Sequence, residues 1–274
     1  MEAPDRFLPA DHPDLHPINA REAMKFNFYQ SLRTLTADMP TCSLTPYEFK
    51  VFSHNGEDGV TLEILNRIGV QHEYFVEFGG EFGRECNTRI LSEALGWHGL
   101  MMERDNADFA RLERSIAGRE HKIQLMHTEV TPESFTGLLH EASVPQDFDV
   151  LSIDVDGPDY YIWRGLEEFT PRMVIIEYNG SLPQTPLAQR RDDPGWQGTS
   201  FFGASIEAMI ELGSKKGYSL AHTELCGLNA FFVRDDLFPL LGELQVPRRA
   251  MNFNLMVGGH PPDTTGRTYV VPPK

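Results

Sequence analysis

Long apolar runs are missing from this sequence of 274 residues. A membrane-spanning helix needs about 20 consecutive apolar residues, and no run in the chain approaches that length, so we expect no transmembrane segment. The first residues, MEAPDRFLPADHPD, are acidic and contain no apolar core, which argues against a secretory signal. Both absences favour a cytoplasmic protein.

Cysteine is scarce, and the number of cysteines is odd. The three cysteines, Cys42, Cys86 and Cys226, lie far apart in the chain. This pattern fits reduced thiols in the cytosol better than a disulfide framework. The sequence has no CxxC pair and no Cys/His cluster, so it gives no indication of a zinc site.

Positive charge is also in short supply. The chain has 24 lysines and arginines against 40 acids, a net charge of −16. That balance disfavours broad contact with nucleic-acid phosphates or with an anionic membrane surface. We expect a small neutral or cationic substrate as the partner, and a homo-oligomer stays open. The length accommodates one sizeable α/β domain with an extension.

The chain is organised around the stretch 74–105. An apolar run ends at Glu77, a glycine turn follows at 79–83, and helical spacing over 90–95 is closed by Gly96. A second apolar run then ends at Glu103. This order predicts a parallel βαβ unit, whose ligand lies at the carboxyl ends of the strands. Both glutamates are expected there.

The glycine turn lacks the G-x-G-x-x-G fingerprint of dinucleotide-binding proteins. It carries Glu77, Glu81 and Glu85, which would repel a pyrophosphate. Acids of this density suit S-adenosylmethionine (SAM), which has a sulfonium, an amino group and a ribose diol. Glu103 is placed to accept hydrogen bonds from that diol, although a solvated acid at a strand end is the plainer alternative.

Further strands are predicted at 122–127, 150–153 and 173–176, each followed by polar residues. Glu129, after the first of them, either contacts the adenine side of a nucleotide or is a surface acid. Asp154 and Asp156 leave the next strand, and Glu177 and Asn179 leave the last. Oxygen ligands clustered in this way suit magnesium. The alternative for Asp156 is a simple turn whose aspartate caps the following helix.

The alternation of strands and helices ends in two strands, 218–222 and 229–233, joined too closely for a crossover helix, which predicts an antiparallel hairpin. We therefore predict an α/β fold: a class I methyltransferase, Rossmann-like sheet, mostly parallel with a C-terminal antiparallel hairpin and helices on both faces. The predicted domains are an N-terminal arm and helix over 1–50, the main domain over 51–240, and an extended tail over 241–274. Aromatic residues in the proline-rich stretch 180–203 favour a substrate lid.

Two segments resemble the FkbM-like SAM-dependent methyltransferases: VEFGGEFGRECNT, from Val76, and LSIDVDGPDYYIWRGL, from Leu151. The resemblance covers about residues 53–234. It implies SAM as cofactor and O-methylation of a small hydroxylated molecule, often a sugar or a natural-product intermediate. With the strand-end acids, the candidate cofactor-binding residues are Glu77, Gly79, Gly80, Gly83, Asn87, Thr88, Glu103 and Glu129.

Two departures leave the metal question open. Asp156 stands where that family usually has glutamate, and the fifth-strand exit IIEYNG is more similar to metal-dependent O-methyltransferases, which hold magnesium at these two strand ends. We expect Asp154 and Asp156 to face the acceptor as catalytic residues. The candidate metal ligands are Asp154, Asp156, Glu177 and Asn179.

Other functions and other bases are open at this point. His54, His127, His222 and Tyr178 are alternative general bases. An NAD(P)-dependent oxidoreductase is the alternative enzyme, and a non-catalytic SAM-binding or SAM-free scaffold is the alternative from another class.

Overall fold

A computed structural model of the chain describes residues 42–79, 86–193, 195–252 and 260–272. The predicted N-terminal helix, Gly80 and Gly83 lie outside these residues. The described strands are β1 (Tyr74–Gly79), β2 (His98–Glu103), β3 (Ile123–His127), β4 (Val150–Asp154), β5 (Met173–Glu177), β6 (Tyr218–Thr223) and β7 (Asn229–Arg234). The described α-helices are α1 (Glu57–Ile68), α2 (Arg89–Ala94), α3 (Asn106–Ser115), α4 (Phe135–Glu141), α5 (Asp159–Gly165) and α6 (Ile206–Lys216).

The seven strands form one sheet in the order β3-β2-β1-β4-β5-β7-β6. Strands β1 to β5 pair in parallel, whereas β7 is antiparallel to both β5 and β6. The order reverses between β1 and β4, where the crossover helices change face, so a crevice opens at the carboxyl ends of these strands. This arrangement confirms the predicted class I methyltransferase fold, including its closing hairpin.

Helices cover both faces of the sheet because alternate residues of the buried strands point to opposite sides. Leu151 and Ile176 belong to the core under α4, α5 and α6. Phe75, Ile175 and Phe231 belong to the opposite core, under α1, α2 and α3. Strands buried on both faces read as continuous apolar runs, which is why the sequence marks them clearly.

The loop before α1 is held by an aspartate of the helix itself. The residue before the helix is Gly56, and no side chain caps it. Instead Asp58 Oδ2 accepts the backbone N–H groups of residues 51, 52 and 53, at 2.6, 2.6 and 2.9 Å. The aspartate therefore holds the preceding loop against the helix, and that loop brings His54 to the edge of the crevice.

Contacts cross both of the predicted domain boundaries. Leu44 and Glu48 are buried with the main domain. In the tail, Val270 forms an isolated antiparallel bridge with Ala188, and the Pro261 carbonyl accepts a hydrogen bond from the Ser200 amide. The division at residues 50 and 240 stays a prediction. Within the described ranges, no helix combines the length and apolarity needed to cross a bilayer.

Candidate active site

A cavity of about 830 Å³ opens at the carboxyl ends of β1, β2, β4 and β5. Parallel strands place their exits at one edge, where a ligand crevice is expected in an open α/β sheet. Six of the candidate cofactor-binding, catalytic and metal-binding residues line this cavity: Gly79, Glu103, Glu129, Asp154, Asp156 and Glu177.

Gly79 lets two strand ends approach each other. It has φ +72°, and a Cβ at this position would lie 1.4 Å from the carbonyl oxygen of Asp154. A larger residue would therefore meet both backbone strain and a direct clash. The glycine lets the end of β1 lie directly against the end of β4.

Glu103 combines burial with an orientation toward the cavity. Only 8% of the residue is exposed, and its Oε1 accepts the backbone N–H groups of Arg104 and Asp105, both at 2.7 Å. Across the described part of the chain, Oε2 accepts no hydrogen bond. Burial raises the pKa of the carboxyl above its ordinary value. Fixed by one oxygen, Glu103 can offer the other to a pair of hydroxyls.

Glu77 has a different environment. It does not lie at the end of a strand, where the sequence predicted it, because β1 continues two residues further to Gly79. It is buried, and its carboxylate accepts from Cys86 Sγ at 2.6 Å, from the Asn87 amide at 2.7 Å and from Thr88 Oγ1 at 2.5 Å. Burial is the main reason that its pKa is raised. Glu77 thus anchors residues 86–88 before α2. None of Glu77, Asn87 and Thr88 lines the cavity.

Glu129 lies at the exposed edge of the cavity. Its carboxylate pairs with Arg104 at 3.1 Å, and about 62% of its side chain is exposed. Such a pair contributes little to stability because water screens it. Glu129 is a surface acid that a ligand at the rim could also contact. Both of its predicted roles, nucleotide contact and surface acid, therefore stay open.

Three carboxylates converge beyond β4 and β5. Asp154, Asp156 and Glu177 each offer an oxygen, and these oxygens all lie within 4.8 Å of one another. The turn between the aspartates is held by Asp159, whose carboxylate accepts the N–H groups of residues 155 and 157 at 2.9 and 2.8 Å. The helix cap is therefore not Asp156, which has φ +55° and lines the cavity.

Asn179 lies outside the cavity lining. Its Nδ2 donates to the carbonyls of Ser200 and Phe202 and to Tyr269 Oη, each at 3.1 Å, and its Oδ1 accepts the Ser181 amide at 3.0 Å. These bonds engage both ends of the amide. Asn179 holds the 200–203 segment and the tail in place, while its predicted role as a metal ligand has no geometric support here.

The alternative bases fall at different depths. His54 lines the cavity. His127 is bonded to the Arg104 carbonyl at 3.1 Å and stacks on a phenylalanine. His222 is buried against Glu48 at 2.9 Å, and burial lowers its pKa. Tyr178 donates to the carbonyl of Arg249 at 2.7 Å, and burial raises its pKa. Of these four, only His54 reaches the ligand space.

Sequence reasoning did not point to His260 or Asn229, both of which line the cavity. His260 comes from the tail and packs edge-on against Trp196, with ring centroids 4.7 Å apart. Its place follows from tail contacts that no periodicity in the sequence marks. Asn229 begins β7, and its place depends on the register of that strand with β5.

No protein-family model matches the sequence, and no curated protein matches it. Several solved structures overlap with it loosely. A protein described as a sarcosine dimethylglycine methyltransferase from Galdieria sulphuraria is 14% identical, with a TM-score of 0.39 and 60% of each chain covered.

Two further structures overlap over more of their length. The magnesium protoporphyrin IX methyltransferase of Synechocystis PCC 6803, with bound SAM, is 10% identical, with a TM-score of 0.40, covering 80% of this chain and 86% of that one. A methyltransferase from Geobacter sulfurreducens is 11% identical, with a TM-score of 0.41, covering 75% and 86%. Likeness at this level concerns the fold alone and carries nothing about substrate or reaction.

Proposed function

We propose that this protein is a SAM-dependent methyltransferase that methylates a hydroxyl oxygen of a small molecule. One observation carries the proposal: a single cavity contains both Glu103, at the end of β2, and the carboxylates that leave β4 and β5. The first suits the ribose of the donor, and the second suits an acceptor that must lose a proton. The resemblance to the FkbM-like enzymes agrees with this division, and we propose that the protein acts in the cytoplasm.

The donor side is matched to SAM by charge and by hydrogen-bonding capacity. Glu103 presents an oxygen that can accept from the ribose diol. Asp105 and Asp108 also line this part of the cavity, so the surroundings favour a cationic sulfonium over a pyrophosphate. Because Gly79 has no side chain, it leaves space beside the end of β4 for the donor.

Methyl transfer is an in-line displacement, so the protein chiefly positions two reactants. The acceptor oxygen forms a bond to the methyl carbon while the carbon–sulfur bond breaks. Sulfur keeps the electron pair, which leaves neutral S-adenosylhomocysteine. The hydroxyl proton passes to a carboxylate, and Asp154 and Asp156 are the groups placed to accept it.

The donor set at the strand ends also fits a magnesium ion. Three carboxylates with oxygens within 4.8 Å of one another are hard ligands of the kind magnesium takes. Asp154, Asp156 and Glu177 would hold it. A bound cation would lower the pKa of an acceptor hydroxyl nearby, and the same aspartates would still orient the acceptor.

The other two functions fit the site less well. A nicotinamide dinucleotide would bring a pyrophosphate against an acidic cavity, and β7 is antiparallel in a sheet that dinucleotide-binding enzymes keep parallel. A scaffold without catalysis would have no use for three carboxylates converging beside the donor pocket. Absorbance of a bound nicotinamide would revive the first alternative.

A methyl-transfer screen tests the proposal. Purified protein is incubated with methyl-labelled SAM and a panel of hydroxylated sugars and natural-product intermediates, with and without a chelator. For any acceptor found, Asp154→Ala or Asp156→Ala should reduce turnover at least about 100-fold, the contribution expected of a general base, while SAM affinity changes little. Turnover that survives both substitutions would contradict the assigned role.

A further inference from the structure

Asn229 is the register partner of Glu177 in the antiparallel pair of β7 and β5. Side chains of directly opposed residues point to the same face and lie about 5 Å apart at Cβ. In the parallel pair of β4 and β5, Ile153 opposes Ile176, so the next residues, Asp154 and Glu177, are neighbours too. Asp154, Glu177 and Asn229 therefore stand side by side at three adjacent strand ends.

The Asn229 side chain is buried with one end unsatisfied. Only 2% of the residue is exposed, and it lines the cavity. Its Nδ2 donates to Glu57 Oε1 at 2.9 Å. Within the described residues, its Oδ1 is buried and accepts no hydrogen bond. A buried carbonyl oxygen left without a donor costs free energy, so a ligand or an ion is expected to satisfy it.

Glu57 fixes which end of the amide faces the carboxylates. It is the first residue of α1 and is fully buried. Its Oε2 accepts the backbone N–H of Asn55 at 2.6 Å, and its Oε1 accepts Nδ2 of Asn229. A carboxylate has no hydrogen to donate to an amide oxygen. The amide of Asn229 therefore turns its nitrogen to Glu57, which leaves its oxygen available on the opposite side of the amide.

We propose that Asn229 Oδ1 completes a divalent-cation site with Asp154, Asp156 and Glu177, in the place that the sequence assigned to Asn179. The inference deepens the proposed methyl transfer and rests on it for its purpose. The ligands are all oxygens, as magnesium and manganese prefer. A neutral fourth ligand adds a donor without adding to the repulsion among three carboxylates in a chain of net charge −16.

The orientation by Glu57 makes the site sensitive to a change that leaves all four ligands in place. In Glu57→Gln, the side-chain oxygen must still accept the Asn55 N–H, because a backbone donor cannot reverse. The new NH₂ group then faces Asn229, whose amide turns to accept from it. Nδ2 of Asn229 would then point at the carboxylates and repel a cation.

Titration of the full chain with Mn²⁺, followed by calorimetry and by the electron paramagnetic resonance signal of the free ion, tests this inference. Wild-type protein should bind one Mn²⁺, and magnesium should compete. Glu57→Gln, which acts through the orientation of Asn229, should weaken binding at least about 10-fold, the lower end of outer-shell effects on metal sites. Asn229→Ala removes a ligand and should weaken binding at least as much. Asp154→Asn should abolish binding. Asn66→Ala, an exposed asparagine on the same helix as Glu57, should leave the affinity unchanged.

Three outcomes would overturn the inference: no Mn²⁺ binding to the wild type, binding unaffected by Asp154→Asn, or an Asn229→Ala affinity equal to the wild type. The last would mean that a buried water satisfies Oδ1. The same samples are titrated with S-adenosylhomocysteine. Binding of that ligand without Mn²⁺ binding removes the cation site and keeps the methyltransferase, and retained binding by each variant shows that it is folded.

Discussion

At the scale of single residues, Glu77 and Glu103 are both glutamates on neighbouring parallel strands, but Glu77 lies within β1, opposite Met101, and Glu103 ends β2. The carboxylate of Glu77 accepts four hydrogen bonds from residues 86–88 and is fully used by them. In Glu103, one carboxylate oxygen accepts two backbone N–H groups, and the other is available to a ligand in the cavity. Charge-assisted hydrogen bonds are the stronger ones, so we expect Glu103 to dominate recognition of the donor ribose.

Glu103→Gln should weaken S-adenosylhomocysteine binding about 10- to 100-fold. Hydrogen bonds to a charged group contribute about 1.5–3 kcal/mol, and glutamine replaces one acceptor oxygen by a donor. Calorimetric titration measures the change, with Glu129→Gln at the exposed rim as the matched control. Equal losses in the two variants would show that Glu103 has no special contact with the ligand.

The sequence located most of this site because its acids follow apolar runs, and parallel strands end at one edge. The sequence could not show which asparagine, Asn179 or Asn229, lies beside the carboxylates. Asn179 lies two residues after a strand-end acid, which made it the natural ligand, but its amide is used to hold the 200–203 segment. Asn229 begins a strand, and only the β5–β7 register places it beside Glu177. The pairing register of two strands that are distant in sequence cannot be predicted from local sequence patterns.

At the scale of elements, the tail and the 196–203 segment form one side of the cavity. Tyr269 Oη accepts the Phe202 amide and Asn179 Nδ2, both at 3.1 Å. Its ring stacks on Phe201, and Arg267 covers the other side of this phenylalanine at 4.5 Å. The sequence predicted a lid from the aromatic residues of this segment. The tail that supports it carries no periodic signal, and the sequence predicted only that it is extended.

Tyr269→Phe should accelerate hydrogen exchange at the Phe202 amide about 10-fold. The substitution removes the acceptor of that amide and one acceptor of Asn179 while keeping the aromatic packing, and a lost hydrogen bond of this kind costs about 1–2 kcal/mol. Exchange measured by mass spectrometry on peptides over 196–204 checks the result. Tyr218→Phe, whose hydroxyl donates to the Pro171 carbonyl at the far end of the sheet, is the control. Unchanged exchange in Tyr269→Phe would mean that the tail does not hold this segment.

At the scale of the whole molecule, burial of acids sets the pH dependence of stability. Burial raises the pKa of Asp58 and Glu77, raises that of Asp159 to about 6 and raises that of Glu224 to about 8. Through these four acids the folded state binds more protons than the unfolded state between about pH 4 and pH 8, so they make stability fall as pH rises. His222, whose pKa burial lowers, acts in the opposite direction in the lower part of this window but is a single group against four. Exposed acids with lowered pKa values, such as Asp105, affect the stability only below this pH window.

The free energy of unfolding should be lower at pH 8 than at pH 5, by an amount on the order of a few kcal/mol, since each unit of pKa shift corresponds to about 1.4 kcal/mol. The net charge of −16 acts in the same direction through self-repulsion. Urea unfolding at the two pH values, followed by tryptophan fluorescence, measures the difference. A protein more stable at pH 8 would show that the buried acids are ionised and satisfied in the folded state.

The proposed function requires a cavity that binds an adenosyl donor beyond β1 and β2. Calorimetric titration of the purified wild-type chain with S-adenosylhomocysteine tests this most directly. We predict saturable binding of one molecule per chain, competed by SAM and unaffected by NAD. An absence of heat with either adenosyl compound at millimolar concentration, in protein that unfolds cooperatively, would contradict the account.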